Sequence, residues 1–145
     1  MNIMMIRLLS AISLAVIAIL GIDLSAASSE TSAVTVPAAV IAEKTMEEVE
    51  SMLGKATIID ARGQGATAIK GAKFLAADAK DSEIQELLAD KTSMVIVYCG
   101  NVKCPASMTL AERLVGLGYT NISHYAGGIA EWEENQKPVD EHKPR

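Results

Sequence analysis

The stretch Val95-Ile96-Val97-Tyr98-Cys99-Gly100-Asn101-Val102-Lys103-Cys104-Pro105 decides how the chain is read. From Met94 to Tyr98 it is the strongest strand candidate in the sequence. It is apolar on both faces, as a strand buried in the middle of a parallel sheet must be. A short loop follows, and Pro105 then suits the first turn of a helix, where its missing N–H costs nothing. Ala106, Leu110, Leu114 and Leu117 recur at helical spacing, and Gly118 stops the run. Strand, loop and helix thus bring Cys99 to the carboxyl end of a central strand. In open α/β sheets that edge is where ligands bind.

The pattern repeats on either side. Upstream, Val40 to Ala42 is a short strand candidate. Thr45 opens a helix with Glu48 three residues on, the spacing of a reciprocal cap. Gly54 closes that helix in the left-handed conformation. Thr57, Ile58 and Ile59 form a β-branched run ending at Asp60, and Ser82 to Leu88 reads as a second capped helix with Gln85 in the third position. Downstream, Ile122 to Tyr125 is a last strand, Gly127 and Gly128 a turn, and Ile129 to Glu134 a short helix. Alternating strands and helices imply an α/β domain with a central, mostly parallel sheet and helices on both faces.

The N-terminus is of another kind. A lone Arg7 precedes an apolar run from Leu8 to Ile22, and Ser25, Ala26 and Ala27 supply small side chains at a cut. A basic start, an apolar middle and a small-residue end define a secretory signal peptide. Residues 1–27 are therefore expected to be removed after Ala27, with Ala26 and Ser28 as neighbouring alternatives. The competing expectation is an uncleaved anchor, for which the run falls just short of the roughly 18 residues of a spanning helix. No cysteine lies near the cut to carry a lipid. Ser28 to Pro37 reads as a flexible leader, residues 38–136 as the folded domain, and residues 137–145, with Pro138 and Pro144, as a charged surface tail.

The sequence expects the mature protein to be periplasmic or secreted, with no membrane association after cleavage. The cut would remove one cation and one anion, Arg7 and Asp23, and leave the net charge at −5. A mildly acidic domain with 3% aromatic residues has no electrostatic footprint for nucleic acid. Its length suits one core and not two.

Cys99 and Cys104 are the only cysteines. In an exported protein, a disulfide-stapled scaffold would need more pairs and wider loops, so these two belong to a local feature. The backbone N–H groups of residues 100–104 and the helix opening at Pro105 are expected to face the Cys99 sulfur. Donors and dipole so placed favour an anion and lower a thiol's pKa. From position alone, Cys99 reads equally as a small buried hydrophobe ending a strand.

Five pieces in order resemble rhodanese domains. Ile58-Ile59-Asp60-Ala61-Arg62 is similar to the family's aspartate-x-arginine strand end, and Ile69-Lys70-Gly71-Ala72 to its isoleucine-x-glycine-alanine turn. Val95 to Cys99 resembles the active-site strand and nucleophile, Leu117-Gly118-Tyr119 with Asn121-Ile122 the next turn and strand, and Gly127-Gly128 with Trp132 the closing signature. The resemblance implies a rhodanese-like three-layer domain and a thiosulfate sulfurtransferase-like activity that needs no cofactor. Cys99 would take the outer sulfur of a small-molecule donor, thiosulfate or a persulfide, as its own persulfide and pass it to a thiol or cyanide. Asp60 and Arg62 would hold the site together, the aspartate by accepting loop N–H bonds and the arginine by pairing with a surface carboxylate.

The departures from the family pattern are specific. Ala68 stands where the family has histidine, and the active-site loop Gly100, Asn101, Val102, Lys103, Cys104 is longer than the common form and carries Lys103 as its single cation. A dianionic donor would rely on backbone groups and that lysine, so thiosulfate is expected to be a poor substrate. The phosphatase relatives of the fold hold phosphate with an arginine six residues after the cysteine, where this chain has Pro105.

Cys104 stays open between a helix-capping residue and a resolving thiol that pairs with Cys99. A five-residue loop can bring two Cα atoms within the roughly 4.4–6.8 Å that a disulfide needs. His124 is expected to be a packed or surface residue, and the spacings of two histidines and two cysteines fit no closed metal site. The alternatives to sulfur transfer are thus a thiol-disulfide redox protein using Cys99 with Cys104, and a rhodanese-homology binding module without turnover.

Overall fold

The computed structural model describes residues 41–142. The expected signal peptide and leader lie outside these residues, as do the last three of the tail. Among the described residues, seven strands and four helices run from β1 (Ala42–Glu43), α1 (Met46–Ser51) and β2 (Thr57–Asp60) through β3 (Thr67–Ile69) and β4 (Lys73–Phe74). They continue with α2 (Asp81–Leu87), β5 (Val95–Tyr98), α3 (Ala106–Gly116), β6 (Ile122–Tyr125), α4 (Gly128–Glu134) and β7 (Val139–Glu141).

Five strands form one sheet in the order β1-β6-β5-β2-β4, and every pair in it is parallel. The strand β5 is central. Val95, Ile96, Val97 and Tyr98 are wholly buried, because the sheet is covered on both faces. Successive side chains point to opposite faces. Val95 and Val97, with Ile59 of β2, pack against Ile84 of α2 and Leu110 and Leu114 of α3. Ile96 and Tyr98, with Ile58, pack against Val49 of α1 and Ile129 and Trp132 of α4. Each fully buried aliphatic side chain of this kind stabilises the fold by about 1.5–3 kcal/mol.

The local signals resolve as follows. Thr45 caps α1 reciprocally: its Oγ1 accepts from Glu48 N–H at 3.4 Å, and its own N–H donates to Glu48 Oε2 at 2.9 Å. Gly54 takes the positive φ expected of it, +75°, and Gly118, read as the stop of the third helix, takes one too, +89°. The second helix starts two residues before the sequence reading. Lys80 N–H donates to Glu83 Oε2, so Glu83 serves as the back-reaching acid and Gln85 does not.

The segment from residue 137, expected to be a surface tail, supplies β7, which pairs antiparallel with β3 in a two-stranded sheet. Ile69 faces Val139 across that ladder. Trp132 Nε1 donates to the Pro138 carbonyl at 2.9 Å, and Gly71 N–H donates to Asp140 Oδ2. A buried indole N–H needs an acceptor, and the residues after α4 provide one. Charge content signalled exposure, but the backbone of this segment had partners waiting in β3.

Candidate active site

The backbone holds Cys99 from two sides. It follows β5 directly, and its carbonyl accepts from Ile129 N–H at 2.9 Å. The Gly100 carbonyl accepts from Ala130 N–H at 3.0 Å. The first turn of α4 is thus hydrogen-bonded to the strand end that carries the cysteine. Gly128 makes that approach possible: a Cβ there would lie 2.5 Å from the Cys99 carbonyl oxygen and 2.9 Å from Asn101 N, and its φ is +65°. Only glycine meets both demands. The Gly127-Gly128 pair read as a turn is therefore the seat of the loop.

The loop itself is tightly folded. Cys104 N–H donates to the Asn101 carbonyl at 3.0 Å, and Lys103 N–H donates to Asn101 Oδ1 at 2.9 Å. Two of the amides expected to face the sulfur are thus spent inside the loop. Those of Gly100, Asn101 and Val102 have no protein acceptor among the described residues. Asn, at a position where its side chain mimics a backbone carbonyl, makes the turn that sends Cys104 back toward Cys99.

Cys99 and Cys104 form a disulfide, with Cα atoms 6.2 Å apart. The capping role considered for Cys104 is not taken up: Pro105 occupies the cap position of α3, and its carbonyl accepts from Thr109 N–H. Cys99 is 1% exposed, Cys104 is half-buried, and Val102 at the loop crest is 74% exposed. Lys103 is exposed as well.

Asp60 ends the strand beside Tyr98, with which it is in register, and it is wholly buried. The Arg62 side chain folds onto it. Nε lies 2.9 Å from Oδ1 and Nη2 lies 2.6 Å from Oδ2, and Nη2 also donates to the Thr67 carbonyl at 2.6 Å. Tyr98 donates to Asp60 Oδ2 at 2.9 Å and accepts from Ile69 N–H at 3.0 Å. The hydrogen bond to Asp60 raises the Arg62 pKa above its ordinary value. Burial, with the neighbouring Asp60 charge, raises that of Tyr98.

This network differs from the expectation for its two anchor residues. Asp60 accepts from Arg62 and Tyr98 and from no amide of the 100–104 loop, and Arg62 pairs with Asp60 and not with a surface carboxylate. The Arg62 side chain runs near the loop, since a Cβ on Gly100 would lie in ordinary contact with Arg62 Cδ, at 3.9 Å. Tyr98 is the member that sequence reasoning missed. Its place in an apolar strand hid a hydroxyl that needs two partners.

His124 is buried in β6, in register with Val97, and its Nε2 lies 2.9 Å from Ser107 Oγ in the first turn of α3. Burial lowers the histidine's pKa. The pair ties the start of α3 to the sheet two residues short of the cysteine end.

Comparison with known proteins gives a consistent picture. The family model described as "Rhodanese-like domain" matches residues 45–135. None of the curated proteins compared matches the chain. Among solved structures, a protein of Bacillus halodurans superimposes with a TM-score of 0.62 at 19% identity, covering 69% of this chain and 77% of that one. A protein of Lactobacillus plantarum gives 0.53 at 25% identity, over 66% and 81%. A thiosulfate sulfurtransferase of Pseudomonas aeruginosa gives 0.57 at 21% identity; 72% of this chain matches, and it spans only 21% of the larger protein.

Proposed function

The chain belongs to the rhodanese-like domain family, and on that premise we propose that it is an exported sulfurtransferase working through a persulfide on Cys99. The observation that carries this reading is the seating of Cys99. It stands at the carboxyl end of the central strand, followed by a tight loop and the start of α3, with three loop amides that have no protein acceptor among the described residues. Backbone donors and a helix start in that position favour a sulfur anion over a neutral thiol. The Pseudomonas thiosulfate sulfurtransferase shares the fold.

In the first half-reaction the Cys99 thiolate attacks the outer sulfur of thiosulfate. An S–S bond forms to Cys99, the S–S bond of the donor breaks, and sulfite leaves with the electron pair. The persulfide anion, held by the same amides, then gives its terminal sulfur to a thiolate or to cyanide and regenerates the thiolate. With Lys103 as the loop's single cation, a dianionic donor is weakly held, and a thiol persulfide is the better substrate.

Initial rates with thiosulfate and cyanide, measured on reduced protein, test this. Parallel double-reciprocal lines are expected, with no turnover in Cys99→Ser, and a higher kcat/KM for glutathione persulfide than for thiosulfate. Turnover that survives Cys99→Ser overturns the reading. Export has its own check: the protein recovered from the cell envelope or medium should begin at Ser28, within one residue, and recovery of the intact Met1 form would favour the anchored alternative.

The Cys99–Cys104 bond favours a second reading, a thiol-disulfide redox protein. Under it, oxidation and reduction of the pair would be the whole activity, and no sulfur would be added to the chain.

A further inference from the structure

The two cysteines are not held alike. Cys99 is fixed, with its carbonyl and that of Gly100 both bound to the first turn of α4 and Gly128 closed against them. Cys104 hangs at the end of a turn built by Asn101 and is directed back at Cys99, so that the two sulfurs are within bonding reach across Cα atoms 6.2 Å apart. A thiol placed there lies next to the inner sulfur of anything attached to Cys99. The sulfur-transfer reading puts a persulfide on that sulfur and leaves Cys104 without a task.

We propose, resting on that reading, that Cys104 resolves the Cys99 persulfide and that the chain thereby reduces sulfane sulfur to hydrosulfide. The Cys104 thiolate attacks the Cys99 Sγ. The Cys99–Cys104 bond forms, the bond between Cys99 Sγ and the terminal sulfur breaks, and hydrosulfide leaves with the electron pair and one proton. The terminal sulfur gains two electrons, and the two cysteines together lose two. The step ends in the bond that the structure holds between Cys99 and Cys104.

A dithiol reductant then restores the thiols. Cys104 is the accessible member, because Cys99 is 1% exposed while Cys104 is half-buried. The reductant attacks Cys104, and Cys99 leaves as a thiolate at the end of β5, beside the loop amides that have no protein acceptor among the described residues. The second thiol of the reductant frees Cys104. Each cycle consumes one sulfane sulfur and one dithiol and returns one hydrosulfide and one disulfide.

The experiment is a single turnover of the mature chain, reduced, freed of reductant and kept without oxygen, with thiosulfate labelled at its outer sulfur. Sulfite, labelled sulfide, the intact mass and the thiols open to alkylation are measured. The wild-type chain should release one sulfite and one labelled sulfide, lose two hydrogens in mass and lose both free thiols. Cys104→Ser should still release sulfite but keep the label as one added sulfur, with sulfide at background. If the wild-type chain instead retains the added sulfur while Cys104 remains open to alkylation, resolution is overturned and sulfur transfer stands. If neither chain releases sulfite or takes up label, and Cys104→Ser gains no sulfur from glutathione persulfide either, sulfur transfer itself fails and the inference falls with it.

Discussion

At the scale of single residues, the site depends on a few atoms with no substitutes. Tyr98 shares its hydroxyl between Ile69 N–H and Asp60. Tyr98→Phe leaves a buried donor and one lone pair of a buried carboxylate unmatched, which should cost about 1–3 kcal/mol in urea unfolding. Gly128→Ala should cost at least as much, since its methyl would meet the Cys99 carbonyl at 2.5 Å in a backbone conformation that alanine resists. It should also slow sulfur loading of Cys99, whereas Tyr98→Phe, which removes a hydroxyl bonded to Ile69 and Asp60 and not to the loop, should change loading less than stability. Equal loss of loading in both variants would show that the glycine acts only through stability.

At the scale of elements, His124 joins β6 to α3 through Ser107. Burial lowers its pKa in the folded chain, so the unfolded chain binds the proton more tightly. Stability from this group is present above the unfolded value near 6.5 and is lost as the pH falls below it. Unfolding midpoints of the wild type should therefore drop between pH 7 and pH 5.5 by more than those of His124→Gln. The two curves running parallel would contradict that assignment.

Elements were also what the sequence revealed best. The 95–98 strand, the α1 cap at Thr45 and Glu48, and the helix from residue 106 are legible because each is set by local periodicity or by one side chain meeting a nearby amide. The short strands β3 and β4 were not, since two or three residues carry no period. The start of α2 was misplaced because Ser82 with Gln85 imitates the spacing that Lys80 and Glu83 actually use. Nor could spacing alone decide whether Cys104 would cap α3 or bond to Cys99. That depends on how Asn101 turns the loop.

At the scale of the whole molecule, the residues after α4 are part of the fold and not an appendage. β7 pairs with β3, and Pro138 satisfies Trp132, which lies in the same core cluster as Tyr98. Ending the chain at Lys137 should lower stability by more than about 2 kcal/mol, from an orphaned indole N–H and an unpaired β3, as read from chemical unfolding. At the carboxyl end of β5 the first turn of α4 holds the backbone of Cys99 and Gly100, and the loop returns Cys104 to Cys99. The most direct test is the intact mass of reduced Cys104→Ser after exposure to a sulfane donor, glutathione persulfide or thiosulfate. The account predicts one added sulfur that dithiothreitol removes and that Cys99→Ser never acquires; a chain that gains no sulfur from either donor contradicts it.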